Sequence, residues 1–210
     1  MTSKRIELLA KLVTSDRDRV FDLCCDHGQI GLSLSDKINE VVLIDRVGSI
    51  IEKLNASDIP RNVTCICQDA TKFNYPIKSK DCFIIAGIGG HLLIKILDQI
   101  FKHIKEDTEL VLSPHSHYEQ VWEYLDSKNL IGLEYRSLKE KNIYFEFLKL
   151  RFKESAKFKT VPFLDEWSRF QNEEFLEQQI RYFELKSKYE PDKLKWLDFY
   201  KSRLYSLKTA

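Results

Sequence analysis

The sequence has little glycine and no long apolar run. Seven of its 210 residues are glycine, and no apolar stretch approaches the ~20 residues of a membrane-spanning helix. The segment Met1–Ile6 is polar, and no apolar part of a signal peptide follows it. There is no internal repeat and no low-complexity segment. We therefore expect a cytoplasmic protein that neither spans a membrane nor is secreted.

The sequence also lacks an excess of charge of either sign. It contains 33 Lys and Arg against 32 Asp and Glu, and this net charge of +1 neither supports nor excludes a nucleic-acid partner. Residues 151–210 hold 13 basic and 10 acidic side chains, a local net charge of +3. This tail is the more plausible place to contact phosphates, although a solvated helix face of mixed charge has the same composition.

The residue spacings of a metal site are missing. The five cysteines are an odd number, and no His-x-x-His motif or second cysteine pair of suitable spacing accompanies Cys65 and Cys67. The segment Ser113–His117 contains two histidines but no acidic residue. We therefore predict buried, reduced thiols, no metal, and a pocket rim at residues 113–117.

Apolar runs and helical patterns alternate along the first 150 residues. They predict strands at 20–24, 41–45, 63–67, 82–86, 109–112, near 130–137 and near 143–150, and helices at 4–14, 28–36, 48–57, 91–102 and 118–128. This alternation indicates a mostly parallel, doubly wound α/β sheet with helices on both faces. Polar residues 139–142 predict an antiparallel hairpin at its end. Such a Rossmann-like sheet is the arrangement of class I methyltransferases.

Beyond Phe152 the pattern becomes helical. Apolar residues recur at helical spacing at Phe163, Trp167 and Phe170 and from Leu176 to Phe183, and a stripe of near-heptad spacing runs from Leu194 to Leu207. We predict a methyltransferase domain at 1–152 and, at 153–210, a coiled-coil-like α-helical hairpin that turns near 189–192. Its exposed cations would either contact an RNA backbone or keep the hairpin soluble.

A nucleoside pocket is predicted where the first strand ends. One apolar run leads through Asp22 into a small-residue turn, and the next run ends at Asp45, close to the spacing of roughly 20 residues typical of nucleotide-binding folds. Asp45 would accept hydrogen bonds from two ribose hydroxyls. The turn has one glycine, Gly28, where dinucleotide-binding turns have three, and Asp26 would repel a pyrophosphate. The pattern favours S-adenosylmethionine, which has a positive sulfonium and no phosphate, over NAD or FAD.

The third and fourth strands also end in polar or flexible residues. Asp69, in Gln68-Asp69-Ala70, is placed to accept a hydrogen bond from the amine of an adenine, with turn capping as the alternative. The segment Ile84–His91 contains three glycines, which permit positive φ and the close approach of a flat ligand. The segment is not followed by the Lys-Ser or Lys-Thr of a phosphate-binding P-loop, which argues against a P-loop.

Three motifs occur in the order Asp22-Leu-Cys-Cys-Asp-His27, Ile85-Ala-Gly-Ile-Gly-Gly90 and Leu110-Val-Leu-Ser-Pro-His115. They resemble Asp-Ile-Gly-x-Asp-His, Ile-Ala-Gly-Met-Gly-Gly and Leu-Ile-Leu-Gln-Pro-Asn of the TrmK-type bacterial tRNA methyltransferases. The similarity continues through residues 122–125, 144–146 and 162–167, and so covers nearly the whole chain. Cys24 replaces a family glycine, residues 28–31 replace Ala-Tyr-Leu-Pro, and His115 replaces an asparagine.

The resemblance implies an enzyme that transfers a methyl group from S-adenosylmethionine to N1 of the adenosine at tRNA position 22. Asp26 and His27 would be the catalytic residues, and Asp26 would stabilise the cationic product ring. We expect a monomer. The residues expected to bind the cofactor are Asp22, Cys24, Gly28, Asp45, Arg46, Gln68, Asp69, Ala70, Ala86, Gly87 and Gly89.

Two alternatives remain open. One is a class I methyltransferase that acts on another substrate. The other is a non-catalytic RNA- or protein-binding module of the same fold, which Cys24 and the altered residues after His27 would suit.

Overall fold

The computed structural model describes residues 3–140, 143–156 and 173–209. Its helices are α1 Lys4–Leu12, α2 Gln29–Leu32, α3 Gly48–Asn55, α4 Gly90–Phe101, α5 Tyr118–Asp126, α6 Glu173–Lys186 and α7 Leu194–Thr209. Its strands are β1 Arg19–Leu23, β2 Glu40–Asp45, β3 Val63–Cys67, β4 Asp81–Ala86, β5 Glu109–Ser113, β6 Leu130–Glu140 and β7 Ile143–Phe152. The chain divides into two compact units, residues 1–158 and 159–210. No helix within the described ranges is long and apolar enough to cross a membrane.

The seven strands form one sheet in the order β3-β2-β1-β4-β5-β7-β6. Strands β1 to β5 are parallel, whereas β7 runs antiparallel to both β5 and β6. This arrangement confirms the predicted doubly wound sheet and its final hairpin. The chain crosses from β3 on one side of β1 to β4 on the other side. Ligands of open α/β sheets bind at such a reversal, outside the carboxyl ends of the strands.

Several predicted element bounds differ from the structure by one or two residues, and two elements differ by more. The second helix ends at Leu32 rather than residue 36, because the hydroxyls of Ser33 and Ser35 donate to carbonyl oxygens three residues earlier, at 2.6 and 2.8 Å. Serine side chains that bond locally in this way compete with a regular helix. The final hairpin is longer than predicted, since Lys139 and Glu140 still pair across to β7. Aromatic contact explains part of this extension, because Lys139 Nζ lies 5.1 Å from the ring centre of Tyr144.

Ion pairs connect neighbouring strands at the edge of the sheet where the parallel strands begin. Arg19 of β1 pairs with Asp81 of β4 at 2.7 Å, and Arg151 of β7 pairs with the fully buried Glu109 of β5 at 2.6 Å. Apolar strand residues such as Phe21 are completely buried between the two helix layers. The register of β1 against β4 is therefore set by charge and packing together, and it brings their carboxyl ends level.

The second unit contains an antiparallel pair of helices, α6 and α7, as predicted. Lys208 near the end of α7 contacts Glu173 at the start of α6 at 2.5 Å, and the Phe183 and Tyr200 rings stack at 5.4 Å. Five of its cations pair with carboxylates of the same unit, so their charge is largely compensated: Arg181, Lys186, Lys193, Lys201 and Lys208. The helical spacing predicted at Phe163, Trp167 and Phe170, and the cation Arg169, fall outside the described residues.

Candidate functional site

A cavity of about 220 Å³ opens at the carboxyl ends of β1 and β4. It brings together six of the predicted site residues with side chains from α1 and from the end of β5. The lining residues are Arg5, Ile6, Leu9, Asp22, Cys24, Cys25, Asp26, His27, Gln29, Ile30, Ala86, Gly87 and His115. Its position is the one that the reversal of strand order predicts for a ligand.

The turn after β1 has an alternating backbone conformation. Cys24, Asp26 and Gly28 have φ of +58°, +48° and +66°. The Cys25 N–H donates to the Ile44 carbonyl at 3.1 Å, and the Asp26 N–H donates to Asp45 Oδ2 at 3.1 Å. Both bonds tie the turn to the end of β2. The left-handed residues are therefore held in place by the neighbouring strand.

Cys24 occupies a backbone conformation that favours glycine. A non-glycine residue in this region carries a cost of roughly 1–2 kcal/mol, and a β-branched side chain is the least tolerated. We expect Cys24→Gly to leave the free energy of unfolding nearly unchanged, because relief of strain offsets the greater entropy of the unfolded chain. Cys24→Val should destabilise by at least ~1 kcal/mol relative to Cys24→Gly. Urea unfolding of both variants measures the difference, and equal stabilities would contradict this account of the turn.

Asp22 is the most deeply buried acid of the cavity. It is 2% exposed, and its Oδ2 accepts a hydrogen bond from the Gly31 N–H at 2.9 Å. Burial raises the pKa of this carboxyl, the Gly31 bond lowers it and the charge of Asp45 raises it, with a net value of about 7. A cation bound in the cavity would favour the ionised form. The group therefore suits a ligand with an ammonium or a sulfonium.

Asp26 and His27 lie at the outer side of the cavity. Their side chains are 69% and 71% exposed, and Asp26 Oδ1 lies 3.8 Å from His27 Nε2. A carboxylate with this exposure is accessible to a large substrate and still faces the ligand space. The geometry agrees with the predicted position of both residues, while their catalytic roles remain predictions.

The residues predicted to hold a nucleoside lie at the ends of β2 and β3, outside the cavity lining. Asp45 is buried, and its second oxygen accepts from the Val47 N–H at 3.0 Å. Asp69 accepts from both the N–H and the hydroxyl of Thr71, at 2.9 and 2.8 Å, which is the capping alternative. These bonds hold the pKa of Asp69 below its ordinary value. The side-chain amide of Gln68 donates to the Lys72 carbonyl at 3.0 Å.

The other two predicted residues of this group, Arg46 and Ala70, also lie outside the cavity lining. Arg46 is exposed and Ala70 is buried at the start of a short 3-10 turn. The charge of Asp45 nevertheless reaches the cavity, since the pKa of Cys24 is raised to about 11 by burial and then by Asp45 and Asp22. The two groups of residues thus share one edge of the sheet.

The glycine-rich turn after β4 needs glycine at two positions. Gly87 has φ of +79° and lines the cavity, and a Cβ added to Gly90 would lie 2.6 Å from the Ser116 carbonyl oxygen. Gly89 has an ordinary φ of −71° and does not line the cavity. Gly28 likewise lies outside the lining, where it precedes α2 in a left-handed conformation. Of these glycines, Gly87 is therefore the one at which the backbone could approach a ligand in the cavity as predicted.

Arg5 and His115 line the cavity, and both contact the ring of Phe145. Arg5 Nη1 lies 3.1 Å from His115 Nε2, and the guanidinium carbon lies 5.1 Å from the centre of the Phe145 ring. The ring of His115 meets that of Phe145 edge to face at 5.7 Å. Because arginine only donates, Nε2 must be the acceptor and His115 must be neutral. Burial, and then the charge of Arg5, lowers the pKa of His115 below 6.5.

Sequence reasoning found the rim at His115 but missed the contribution of α1. Arg5, Ile6 and Leu9 lie on this helix, for which the pattern predicted a helix at 4–14 and no part in the site. The apolar spacing of α1 shows which face is buried, but it does not show that one end lies beside β1 and β4. Cys25, Gln29 and Ile30 were missed as well, although they flank the predicted turn.

Comparisons with known proteins bear on this geometry. A family model described as a methyltransferase domain matches residues 2–148. No curated protein matches the sequence. The B. subtilis m1A22 tRNA methyltransferase TrmK superposes with a TM-score of 0.69 at 19% identity, over 100% of this chain and 98% of that one. M. capricolum TrmK, solved with S-adenosyl-homocysteine, has a TM-score of 0.72 at 16% identity, over 100% and 97%.

A third structure extends the likeness to a cofactor complex. Streptococcus pneumoniae Sp1610, solved with S-adenosyl-L-methionine, has a TM-score of 0.77 at 18% identity, over 97% of this chain and 100% of that one. At these identities the three structures establish the shared fold. The residues that match the methyltransferase-domain family model include α1, all strands up to Leu148 of β7, and every residue that lines the cavity. The chain therefore belongs to the methyltransferase-domain family.

Proposed function

We propose that the protein transfers a methyl group from S-adenosylmethionine to N1 of an adenosine in tRNA. The observation that carries the proposal is the cavity at the carboxyl ends of β1 and β4, in which Asp22 and Asp26 provide negative charge without a phosphate cradle. The full-length likeness to two TrmK structures, one of them named as an m1A22 tRNA methyltransferase, supports the choice of acceptor and of position 22. We also propose a cytoplasmic monomer.

The cofactor would lie across the edge of the sheet. The amino-acid end and the sulfonium would occupy the cavity beside Asp22 and Gly87, where burial strengthens electrostatic attraction to a cation. The adenosine end would extend toward β2 and β3, where Asp45 and Asp69 each retain lone pairs beyond the bonds already described. This orientation would use both groups of predicted residues.

The transfer step needs alignment more than base catalysis. The in-plane lone pair of adenine N1 attacks the methyl carbon, and the electrons of the carbon–sulfur bond move to sulfur, which leaves neutral S-adenosylhomocysteine. The positive charge moves from the sulfonium to the methylated ring. Asp26, exposed beside the cavity, would stabilise that developing charge. Because N1 is engaged in a base pair within a duplex, the adenosine must be unpaired or extruded.

The test is transfer of a labelled methyl group from S-adenosylmethionine to unmodified bulk bacterial tRNA, with cofactor binding measured by calorimetry. We expect both binding and transfer. Binding without transfer to tRNA would favour a methyltransferase with another acceptor. A chain that binds no cofactor would instead be the non-catalytic module of the same fold.

A further inference from the structure

We propose that Arg5 binds the carboxylate of the methionine end of the cofactor, and that His115 is the positioning residue that holds the Arg5 guanidinium in the cavity. The inference rests on the proposed function, since it names a subsite for the same cofactor. The two residues lie far apart in the sequence, and one of them differs from the resembling family. Arg5 comes from the amino-terminal helix, and His115 stands where the resembling family has asparagine.

Among the described residues, no acid forms an ion pair with Arg5. Within the part of the chain that the structure describes, its polar side-chain contact is the neutral His115 ring, and its guanidinium lies over the Phe145 ring. Arg5 is only partly exposed, and it lines the same cavity as Asp22 and Asp26. A half-buried arginine in this setting retains several N–H donors in a planar fork, which matches the two oxygens of a carboxylate.

The cavity lining therefore carries charged groups of both signs. Asp22 lies in β1 and Asp26 in the turn that follows it, whereas Arg5 comes from α1. An amino acid that carries an ammonium and a carboxylate presents the same pair of charges. Of the two ends of S-adenosylmethionine, only the methionine end has this character, and it would bind with the carboxylate toward Arg5.

His115 can position Arg5 only while it is neutral. Nε2 accepts the guanidinium N–H at 3.1 Å, and a proton on Nε2 would remove the acceptor and place two cations in contact. The backbone of His115 is fixed by a bond from its N–H to the Ile88 carbonyl at 2.8 Å, and the ring is held by Phe145 of β7. The other titratable groups that line the cavity are Asp22, Cys24, Cys25, Asp26 and His27.

The experiment measures equilibrium binding of S-adenosylmethionine and of decarboxylated S-adenosylmethionine by calorimetry. Arg5→Ala should weaken binding of the first ligand roughly 10–100-fold, the size of a charge-assisted bond. The same substitution should change binding of the decarboxylated ligand by less than about threefold. An equal loss for both ligands would overturn the carboxylate subsite, because it would mean that Arg5 acts on the fold of the site.

The positioning role of His115 is tested by the pH dependence of the affinity for S-adenosylmethionine. Between pH 7.5 and 5.5 the wild-type affinity should fall roughly 3–10-fold more than that of His115→Gln, whose side-chain oxygen accepts from Arg5 but does not titrate. Asp22 and His27 are present in both proteins, so the ratio of the two affinities isolates His115. His103→Asn, an exposed histidine beyond α4, is the matched control and should keep the wild-type profile.

The outcomes separate this inference from the proposed function. Superimposable pH profiles of wild type and His115→Gln would overturn the positioning role while cofactor binding stands. A wild-type protein that binds neither ligand would overturn the cofactor assignment and the subsite together. Unfolding curves of Arg5→Ala and His115→Gln identify any loss of binding that comes from loss of the folded state.

Discussion

Replacement of Asp22 by asparagine should make the protein more stable at high pH and unable to bind its cofactor well. The folded-state pKa of Asp22 is about 7, above the ordinary 3.8, because the carboxyl is buried. The folded protein therefore holds this proton more tightly than the unfolded chain does, and stability is lost as the pH rises through 7. Asparagine avoids that loss, and its oxygen can still accept from the Gly31 N–H.

The expected size of this stability change follows from the difference between the folded-state and ordinary pKa of Asp22. At 1.36 kcal/mol per unit of pKa, the stability of Asp22→Asn relative to wild type should increase by roughly 2–3 kcal/mol between pH 5 and pH 8. Urea unfolding at the two pH values measures this change, and any constant cost of burying the amide cancels. Affinity for S-adenosylmethionine should fall at least about tenfold at pH 8 through loss of the carboxylate.

An exposed carboxylate provides the control for this prediction. Asp36 lies on the surface after α2, so Asp36→Asn should show the same relative stability at pH 5 and pH 8. A relative stability of Asp22→Asn that does not change with pH would contradict the buried ionisation. Unchanged cofactor affinity of Asp22→Asn would show that the Asp22 carboxylate does not bind the cofactor.

Loss of the charge on Asp26 should slow methyl transfer far more than it weakens cofactor binding. Asp26→Asn is the appropriate variant because asparagine tolerates the φ of +48° at this position, whereas alanine would add backbone strain. We expect kcat to fall about 10²–10³-fold, the size of a lost electrostatic contact to the transition state. The dissociation constant for S-adenosylmethionine should change less than about threefold, since the side chain is 69% exposed.

The neighbouring His27 supplies a matched comparison. It is equally exposed and lies 3.8 Å from Asp26, so His27→Asn changes the same surface without removing the carboxylate. Equal losses of turnover and of cofactor affinity in Asp26→Asn would make Asp26 a cofactor-binding or capping residue. A larger loss of turnover in His27→Asn than in Asp26→Asn would make His27 the more important catalytic residue of the two.

Much of the fold could be predicted because periodicity and chain order determine it. Apolar runs such as Val41–Ile44 are buried on both faces, and this is what an uninterrupted run indicates. The hairpin of β6 and β7 followed from a polar loop between two apolar segments. Helix α2 was wrong in length, since local serine bonds at Ser33 and Ser35 depend on geometry that a hydrophobic pattern does not report.

The candidate site was predictable where it follows strand ends, and it was missed where distant segments meet. Asp22 lies near the carboxyl end of β1, Asp26 lies in the turn that follows, and Gly87 directly follows β4, so the topology alone brings them to one cavity. Arg5 and His115 are 110 residues apart, and their contact depends on the packing of α1 against the sheet. The number of bonds that Asp45 makes to neighbouring amides was equally invisible in the sequence.

The measurement that tests the central claim most directly is nucleoside analysis of a tRNA transcript after incubation with the protein and S-adenosylmethionine. The account predicts 1-methyladenosine, formed at one position per molecule by the wild-type protein and at a rate about 10²–10³-fold lower by Asp26→Asn. Formation of a different methylated nucleoside, or equal rates for the two proteins, would contradict it.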